Sequence, residues 1–120
     1  MKLLIIEDDV FFQKFYKSQL EAQGFEVDVG KNGNEGLEKI ASFKPDVILL
    51  DIIMPEKDGF EVLESLAKDG SIKNLPVLIF STLGQEKDVQ RAMELGAKGY
   101  VNKSFFDFNA LVNKIKEIAS

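Results

Sequence analysis

Asp51 stands directly after the apolar run Val47-Ile48-Leu49-Leu50 and before Ile52-Ile53-Met54-Pro55. A carboxylate at the end of a buried strand is costly unless a partner or a chemical role keeps it there. Two further apolar runs end in polar groups: Leu3–Ile6 in Glu7, Asp8 and Asp9, and Val77–Phe80 in Ser81 and Thr82. Lys103 follows a weaker run, Gly99–Val101. Gathered at one place, three clustered carboxylates repel one another, so either one holds a proton or a cation neutralises them. An oxygen-only donor set favours a hard ion, Mg²⁺ or Mn²⁺. A carboxylate oxygen beside such an ion, a hydroxyl and an ammonium is arranged for phosphoryl transfer. The cation and the lysine stabilise the equatorial oxygens, the hydroxyl donates a hydrogen bond, and the carboxylate attacks.

Composition removes most competing chemistries. The 120-residue chain has no histidine and no cysteine. That excludes Ser-His-Asp catalysis, histidine-ligated zinc, thiolate metal sites and disulfides. Absent cysteines fit a cytoplasmic protein. Net charge is −5 and Arg91 is the only arginine, so no basic patch suggests direct binding of nucleic acid. No apolar stretch approaches the roughly 20 residues of a membrane span. The start, Met1–Ile6, is too short for a signal peptide before Glu7 interrupts it.

The elements that must position these groups are legible as alternating patterns. Leu3–Ile6, Val47–Leu50, Val77–Phe80 and Gly99–Val101 read as buried strands, with Phe25–Val29 a more alternating fifth. Apolar stripes at helical spacing lie between and after them. They comprise Phe12, Phe15, Tyr16 and Leu20; Leu37, Ile40 and Ala41; Phe60, Leu63, Leu66 and Ala67; Val89, Ala92 and Met93; and Phe108, Leu111, Val112, Ile115, Ile118 and Ala119. Gly24, Pro45, the Asp69-Gly70-Ser71 turn and Gly96 close the first four. Strict β-α alternation predicts one α/β domain over residues 1–120, with a five-stranded parallel sheet and helices on both faces. In such sheets ligands bind beyond the carboxyl ends of the strands. Each polar residue alone has a plainer reading. Asp8 or Asp9 could be the N-cap of the first helix, Asp51 a turn residue, and Ser81 and Thr82 strand-end caps. Lys103 could be a surface charge and Tyr100 a half-buried strand aromatic. Their joint placement after strands one, three, four and five argues against chance.

Taken together, these motifs resemble the receiver domain of two-component response regulators, across essentially the whole chain. The acidic pair is Glu7-Asp8, and the phosphoacceptor motif is Leu50-Asp51-Ile52-Ile53-Met54-Pro55 with the Asp58-Gly59 turn after it. The hydroxyl is Ser81 in Pro76–Ser81, and the aromatic switch and lysine are Tyr100 and Lys103 in Gly96–Lys103. The resemblance implies a flavodoxin-like fold with strand order 2-1-3-4-5. It implies that Asp51 takes a phosphoryl group from a phosphohistidine on a sensor histidine kinase or histidine phosphotransfer protein. Asp8 and Asp51 would ligate Mg²⁺, with Glu7 acting through water and Ile53 through its backbone carbonyl. Lys103 would pair with Asp51 and then with the phosphoryl oxygens, beside Ser81 and Thr82. Ser81 would swing toward the phosphate, and Tyr100 would rotate into the space it leaves. The readout would be the face of the fourth helix, fifth strand and last helix, offered to a downstream protein by a monomer or a phosphorylation-dependent dimer. Such a protein catalyses only its own phosphorylation and dephosphorylation, and no output domain is expected.

Four positions depart from the family pattern. Ser104 replaces the usual proline after the lysine, so the Lys103–Ser104 bond is expected to be trans. Ser104, with Asp107 three residues on, is expected to cap the last helix. Ile53 and Leu83 are apolar where polar residues often position hydrolytic water, which predicts slow autodephosphorylation. Thr82 stands where alanine or glycine is usual and could narrow access to Asp51. The rival readings are a phosphorylation-independent scaffold, a flavodoxin-like cofactor protein and a Mg²⁺-dependent aspartyl phosphatase. The intact acids, Ser81 and Lys103 weigh against the first. Glu7-Asp8-Asp9 would repel a cofactor phosphate, and Ile53 cannot serve as the phosphatase's second acid.

Overall fold

A computed structural model describes residues 1–120. The strands are β1 (Lys2–Ile6), β2 (Glu26–Gly30), β3 (Val47–Leu50), β4 (Val77–Ser81) and β5 (Gly99–Asn102). The helices are α1 (Val10–Glu21), α2 (Gly33–Phe43), α3 (Gly59–Asp69), α4 (Glu86–Glu94) and α5 (Phe108–Ala119). A short 3-10 turn, Ser71–Asn74, joins α3 to β4. All strand pairs are parallel, in the order β2-β1-β3-β4-β5, as the alternation and the resemblance implied.

Because both faces of the sheet are covered, each strand serves two cores. Leu4, Ile6, Ile48, Leu50, Val77 and Ile79 point to one side, against Phe60, Leu63 and Leu66 of α3 and Ala92 of α4. Leu3, Ile5, Val47, Leu49, Leu78 and Phe80 point to the other, against Tyr16 and Leu20 of α1 and Leu111, Val112 and Ile115 of α5. Continuous apolar runs are the signature of this arrangement, since neither set of alternate residues meets water.

Local signals set the helix starts. Asp9 caps α1, accepting from the Phe12 amide at 3.2 Å, so the choice between Asp8 and Asp9 resolves to Asp9. Asp58 and Glu61 form a reciprocal capping box at α3. At α5 the expectation for Ser104 fails. Asp107 alone caps that helix, accepting from the Asn109 amide at 2.9 Å. Ser104 sits in the preceding turn instead, its amide held by the Asn102 side chain at 2.8 Å. That Asn102 bond captures the Ser104 backbone before the helix can begin, three residues further on. Every peptide bond is trans, Lys103–Ser104 included.

Register aligns the strand ends. Ile6 pairs with Leu50, Leu50 with Ile79, and Ser81 with Asn102. Glu7, Asp51 and Lys103 each follow one residue beyond a paired position, and backbone bonds extend the ladder to them. The Asp51 amide donates to the Ile6 carbonyl at 3.0 Å, and the Lys103 amide to the Ser81 carbonyl at 2.9 Å. The sheet itself therefore brings these side chains to one rim.

Candidate functional site

At the carboxyl-terminal rim, Glu7, Asp51 and Ser81 are buried, at 3%, 8% and 0% exposure. Lys103 crosses the rim to meet both acids. Its Nζ lies 2.7 Å from Glu7 Oε1 and 3.1 Å from Asp51 Oδ2, with 7% of its side chain exposed. The ammonium therefore bridges two carboxylates, where the resemblance implied a pairing with Asp51. Asp51 Oδ1 accepts from the Ile53 amide at 3.2 Å, closing a tight turn after β3. The Ile53 contribution seen here is thus an N–H toward Asp51, while its side chain is exposed. Asp8 is exposed at the mouth. Gln13 Nε2 donates to the Glu7 carbonyl at 2.7 Å and ties the β1–α1 turn to α1.

One ligand atom from each of Glu7, Asp8 and Asp51 falls within a 4.8 Å group. With Glu7 ionised, its buried Oε2 has no hydrogen-bond donor. An orphaned, buried carboxylate oxygen within an oxygen-only triad fits a hard divalent cation. The open mouth above the triad is lined by Val10, Phe11, Ile53 and Thr82 as well as the acids and Lys103.

Without a cation, the electrostatics divide the two buried acids. Burial, with Asp51 beside it, pushes Glu7 up to about 8 from 4.5. Burial opposes ionisation of Asp51 too, but hydrogen bonding from Glu7 and the charge of Lys103 outweigh it and hold Asp51 below its usual value. The pair as a whole therefore keeps a proton to higher pH than isolated carboxylates do, with Glu7 raised and Asp51 lowered. The folded form then binds a proton that the unfolded chain releases above about 4.5, so metal-free stability declines as pH rises from about 4.5 to about 8. We expect the thermal midpoint of chelator-treated protein to fall across that window. Glu7→Gln should flatten the slope and be the more stable form at pH 8. A wild-type midpoint flat from pH 5 to 8 would contradict this assignment.

The hydroxyl and the aromatic are linked through one residue. Leu83 donates its amide to Ser81 Oγ at 3.2 Å. The Leu83 carbonyl in turn accepts from the Tyr100 hydroxyl. Burial, then the charges of Asp88 and Asp51, push Tyr100 up to about 12, so it donates as a neutral phenol. Thr82 is exposed at the mouth and makes no hydrogen bond through its side chain.

The rim thus assembles the candidates Glu7, Asp8, Asp51, Ser81, Thr82 and Lys103, with Tyr100 one hydrogen-bonded residue away. Three neighbours were not anticipated as part of it. Phe12, Tyr16 and Phe80 read as core residues in the sequence, yet they line the floor under Lys103. The available signal was the Phe12–Tyr16 spacing, which carries an aromatic stripe from the core up to the cap at Asp9.

Comparisons with known proteins agree with this geometry. The family model of the response regulator receiver domain matches residues 3–116. The chain is 40% identical over 107 residues to the chemotaxis protein CheY of Listeria monocytogenes, covering 88% of this chain and 87% of that protein. It is 37% identical over 116 residues to the probable transcriptional regulator ycf29 of Porphyra purpurea, covering 97% of this chain and 55% of the relative. This chain spans about half the length of several such relatives. Among solved structures, the Borrelia burgdorferi complex of CheX, CheY, BeF3 and Mg²⁺ matches at TM-score 0.90 and 28% identity, over 100% of this chain and 90% of that one. No helix is long and apolar enough to cross a membrane. Both the rim geometry and these matches lead to one assignment: the chain belongs to the response regulator receiver domains of two-component signalling.

Proposed function

We propose that residues 1–120 act as one receiver unit and that Asp51 is its phosphoacceptor, loaded from a phosphohistidine on a histidine kinase or phosphotransfer protein. The observation that carries this reading is the Lys103 ammonium bridging Glu7 and Asp51 beside the exposed Asp8. A Mg²⁺ ion, with Mn²⁺ a substitute, would be held by Asp8, Asp51 and Glu7, with the Ile53 carbonyl completing the set. When bound, it supplies charge neutralisation for the transferring phosphoryl group. A similar assembly from Borrelia burgdorferi contains Mg²⁺, which supports that choice.

In the transfer, an Asp51 oxygen forms a bond to phosphorus as the donor's P–N bond breaks, and the electron pair returns to the imidazole. A proton held by the Glu7–Asp51 pair would be released when the acids take up a cation. Lys103 keeps its charge, its value raised by Glu7 and Asp51 against the cost of burial, and follows the new phosphoryl oxygens. Ser81 donates its hydroxyl to the same oxygens, and Thr82 flanks them at the mouth.

Moving Ser81 Oγ takes away the acceptor of the Leu83 amide, and Leu83 is also the acceptor of Tyr100. Phosphorylation adds about −1.5 to −2 charges at the rim. A small bias of a few kcal/mol at this hydrogen-bonded relay is enough to shift the population of the α4–β5–α5 face, which a downstream protein reads. Whether as a monomer or a phosphorylation-dependent dimer, the unit turns over no diffusing metabolite. A cytoplasmic setting accords with a kinase donor.

Incubation with Mg²⁺ and acetyl phosphate, followed by intact mass, tests this reading. One phosphate increment is expected, lost with chelator and in Asp51→Asn. No increment would leave a phosphorylation-independent scaffold as the better reading. The same increment, followed over time, measures phosphate lifetime. Ile53 is 53% exposed beside the acceptor and offers no hydrogen bond to water from its side chain. Ile53→Asn is therefore expected to speed phosphoryl loss several-fold, and an unchanged lifetime would dismiss the apolar shield.

A further inference from the structure

Lys103 has an anchor beyond the two carboxylates. Its Nζ lies 5.0 Å from the centre of the Phe12 ring and 5.8 Å from that of Phe80. Both distances fall within the roughly 6 Å over which a cation is attracted to an aromatic face, an attraction that strengthens when water is excluded. Lys103 is nearly sealed from solvent, with 7% of its side chain exposed. An ammonium has three donors, and two are spent on Glu7 and Asp51.

We propose that Phe12, with Phe80 beside it, is a positioning residue that holds the Lys103 ammonium at the rim when a divalent cation engages Glu7 and Asp51. The proposal rests on the phosphoacceptor reading above. Both acids that hold Lys103 belong to the triad suited to the cation. Carboxylates that share their charge with a metal attract the ammonium less, and the two cations repel. Left to those contacts alone, the lysine would drift from the rim when the phosphoryl group needs it. A third carboxylate could retain it, but would also repel the incoming phosphoryl oxygens. An aromatic face attracts the ammonium while adding no net negative charge, so it meets both demands.

The rings are themselves fixed. The Phe12 amide is held by the helix cap at Asp9. Its ring stacks on Tyr16 at 5.8 Å, Tyr16 meets Phe80 edge-on at 5.0 Å, and Phe80 meets Phe106 at 4.9 Å. This ladder joins α1, β4 and the loop before α5, so Phe12 cannot follow the lysine if it moves. The anchor stays put while the partners change.

Progressive fluorination of the Phe12 ring separates this role from simple packing, because it weakens the ring's negative face with little change in shape. The full-length chain would carry one to three ring fluorines at position 12, alongside Phe12→Leu and Phe12→Tyr. The first readout needs no phosphate donor: the NMR shift of the Lys103 ε-methylene protons, before and after adding Mg²⁺. In the wild type the upfield shift caused by the ring should persist with Mg²⁺, and in Phe12→Leu it should be lost. The second is the rate of phosphoryl uptake from acetyl phosphate at saturating Mg²⁺. It should fall stepwise with fluorine number to a total of about threefold to tenfold, with Phe12→Tyr close to wild type. A rate indifferent to fluorination, or a wild-type shift that collapses when Mg²⁺ is added, would overturn the proposal. A wild type that keeps the shift but takes no phosphate would instead refute the phosphoacceptor reading while leaving the lysine anchor in place.

Discussion

Lys103→Met is expected to cost about 3 kcal/mol of stability at pH 8 and to slow phosphoryl uptake about 100-fold. Methionine keeps an unbranched apolar chain out to its ε-carbon beneath the rim, so packing is largely kept and the ammonium is what disappears. Glu7 and Asp51 are then two buried carboxylates with no cation between them. Glu7 can relieve the conflict by holding its proton, as burial already favours. The deficit should therefore shrink as pH falls from 8 toward 5, and added Mg²⁺ should reduce it at pH 8. Denaturant midpoints at the two pH values, each with and without Mg²⁺, measure all of this. Equal losses at both pH values, untouched by Mg²⁺, would place the effect in packing rather than charge.

Gly59→Ala is the second large effect, and it runs against helix propensity. Gly59 is the first residue of α3, where alanine would ordinarily favour the helix by up to about 1 kcal/mol. Here a β-carbon would collide with the Asp51 carbonyl oxygen and come within 2.6 Å of the Ile52 Cα, both backbone atoms. The Gly59 amide also donates to the Ile52 carbonyl at 2.9 Å, so α3 is docked directly on the turn that follows Asp51. Relief requires that turn to shift, with a net loss of about 2–3 kcal/mol and slower phosphoryl uptake. Urea unfolding and the uptake rate should move together. An alanine variant as stable and as fast as the wild type would mean that the turn yields without strain.

Much of the architecture was legible because parallel sheets buried on both faces leave a strong trace. Val47–Leu50 and Val77–Phe80 are unbroken apolar runs, and the polar residue ending each one announced the rim. The stripes Phe60-Leu63-Leu66 and Leu111-Val112-Ile115 announced two of the covering helices. Boundaries were less legible where hydrogen bonds decide them. β2 runs Glu26–Gly30 rather than Phe25–Val29, because Phe25 points into the core under α1 while its amide completes the helix end at Leu20. The Ser104 cap failed for a similar reason: the Asn102 side chain competes for the Ser104 amide, and a motif three residues long cannot register that. Within the site, residue types and spacing pointed to the acids, the hydroxyl and the lysine. They did not show that Lys103 lies nearer Glu7 than Asp51, nor that Phe12 and Phe80 lie under it. Those contacts depend on side chains from β1, α1, β4 and β5 meeting in space, at separations of up to 96 positions.

The two ends of β3 matter for assembly of the sheet. Val47, Ile48, Leu49 and Leu50 are all buried, so sliding this strand by one residue would exchange one apolar side chain for another on both faces. Hydrophobic patterning alone sets such a strand's alignment weakly. An aspartate stands at each end: Asp46, which accepts from the Lys2 amide at 2.7 Å, and Asp51, which meets Lys103. Slippage in either direction would drag one of them between the layers without its partner, at a cost of several kcal/mol. Asp51, proposed above as the phosphoacceptor, is therefore also a stop that penalises misaligned sheets during folding, and neutralising it should loosen strand alignment as well as abolish phosphoryl uptake.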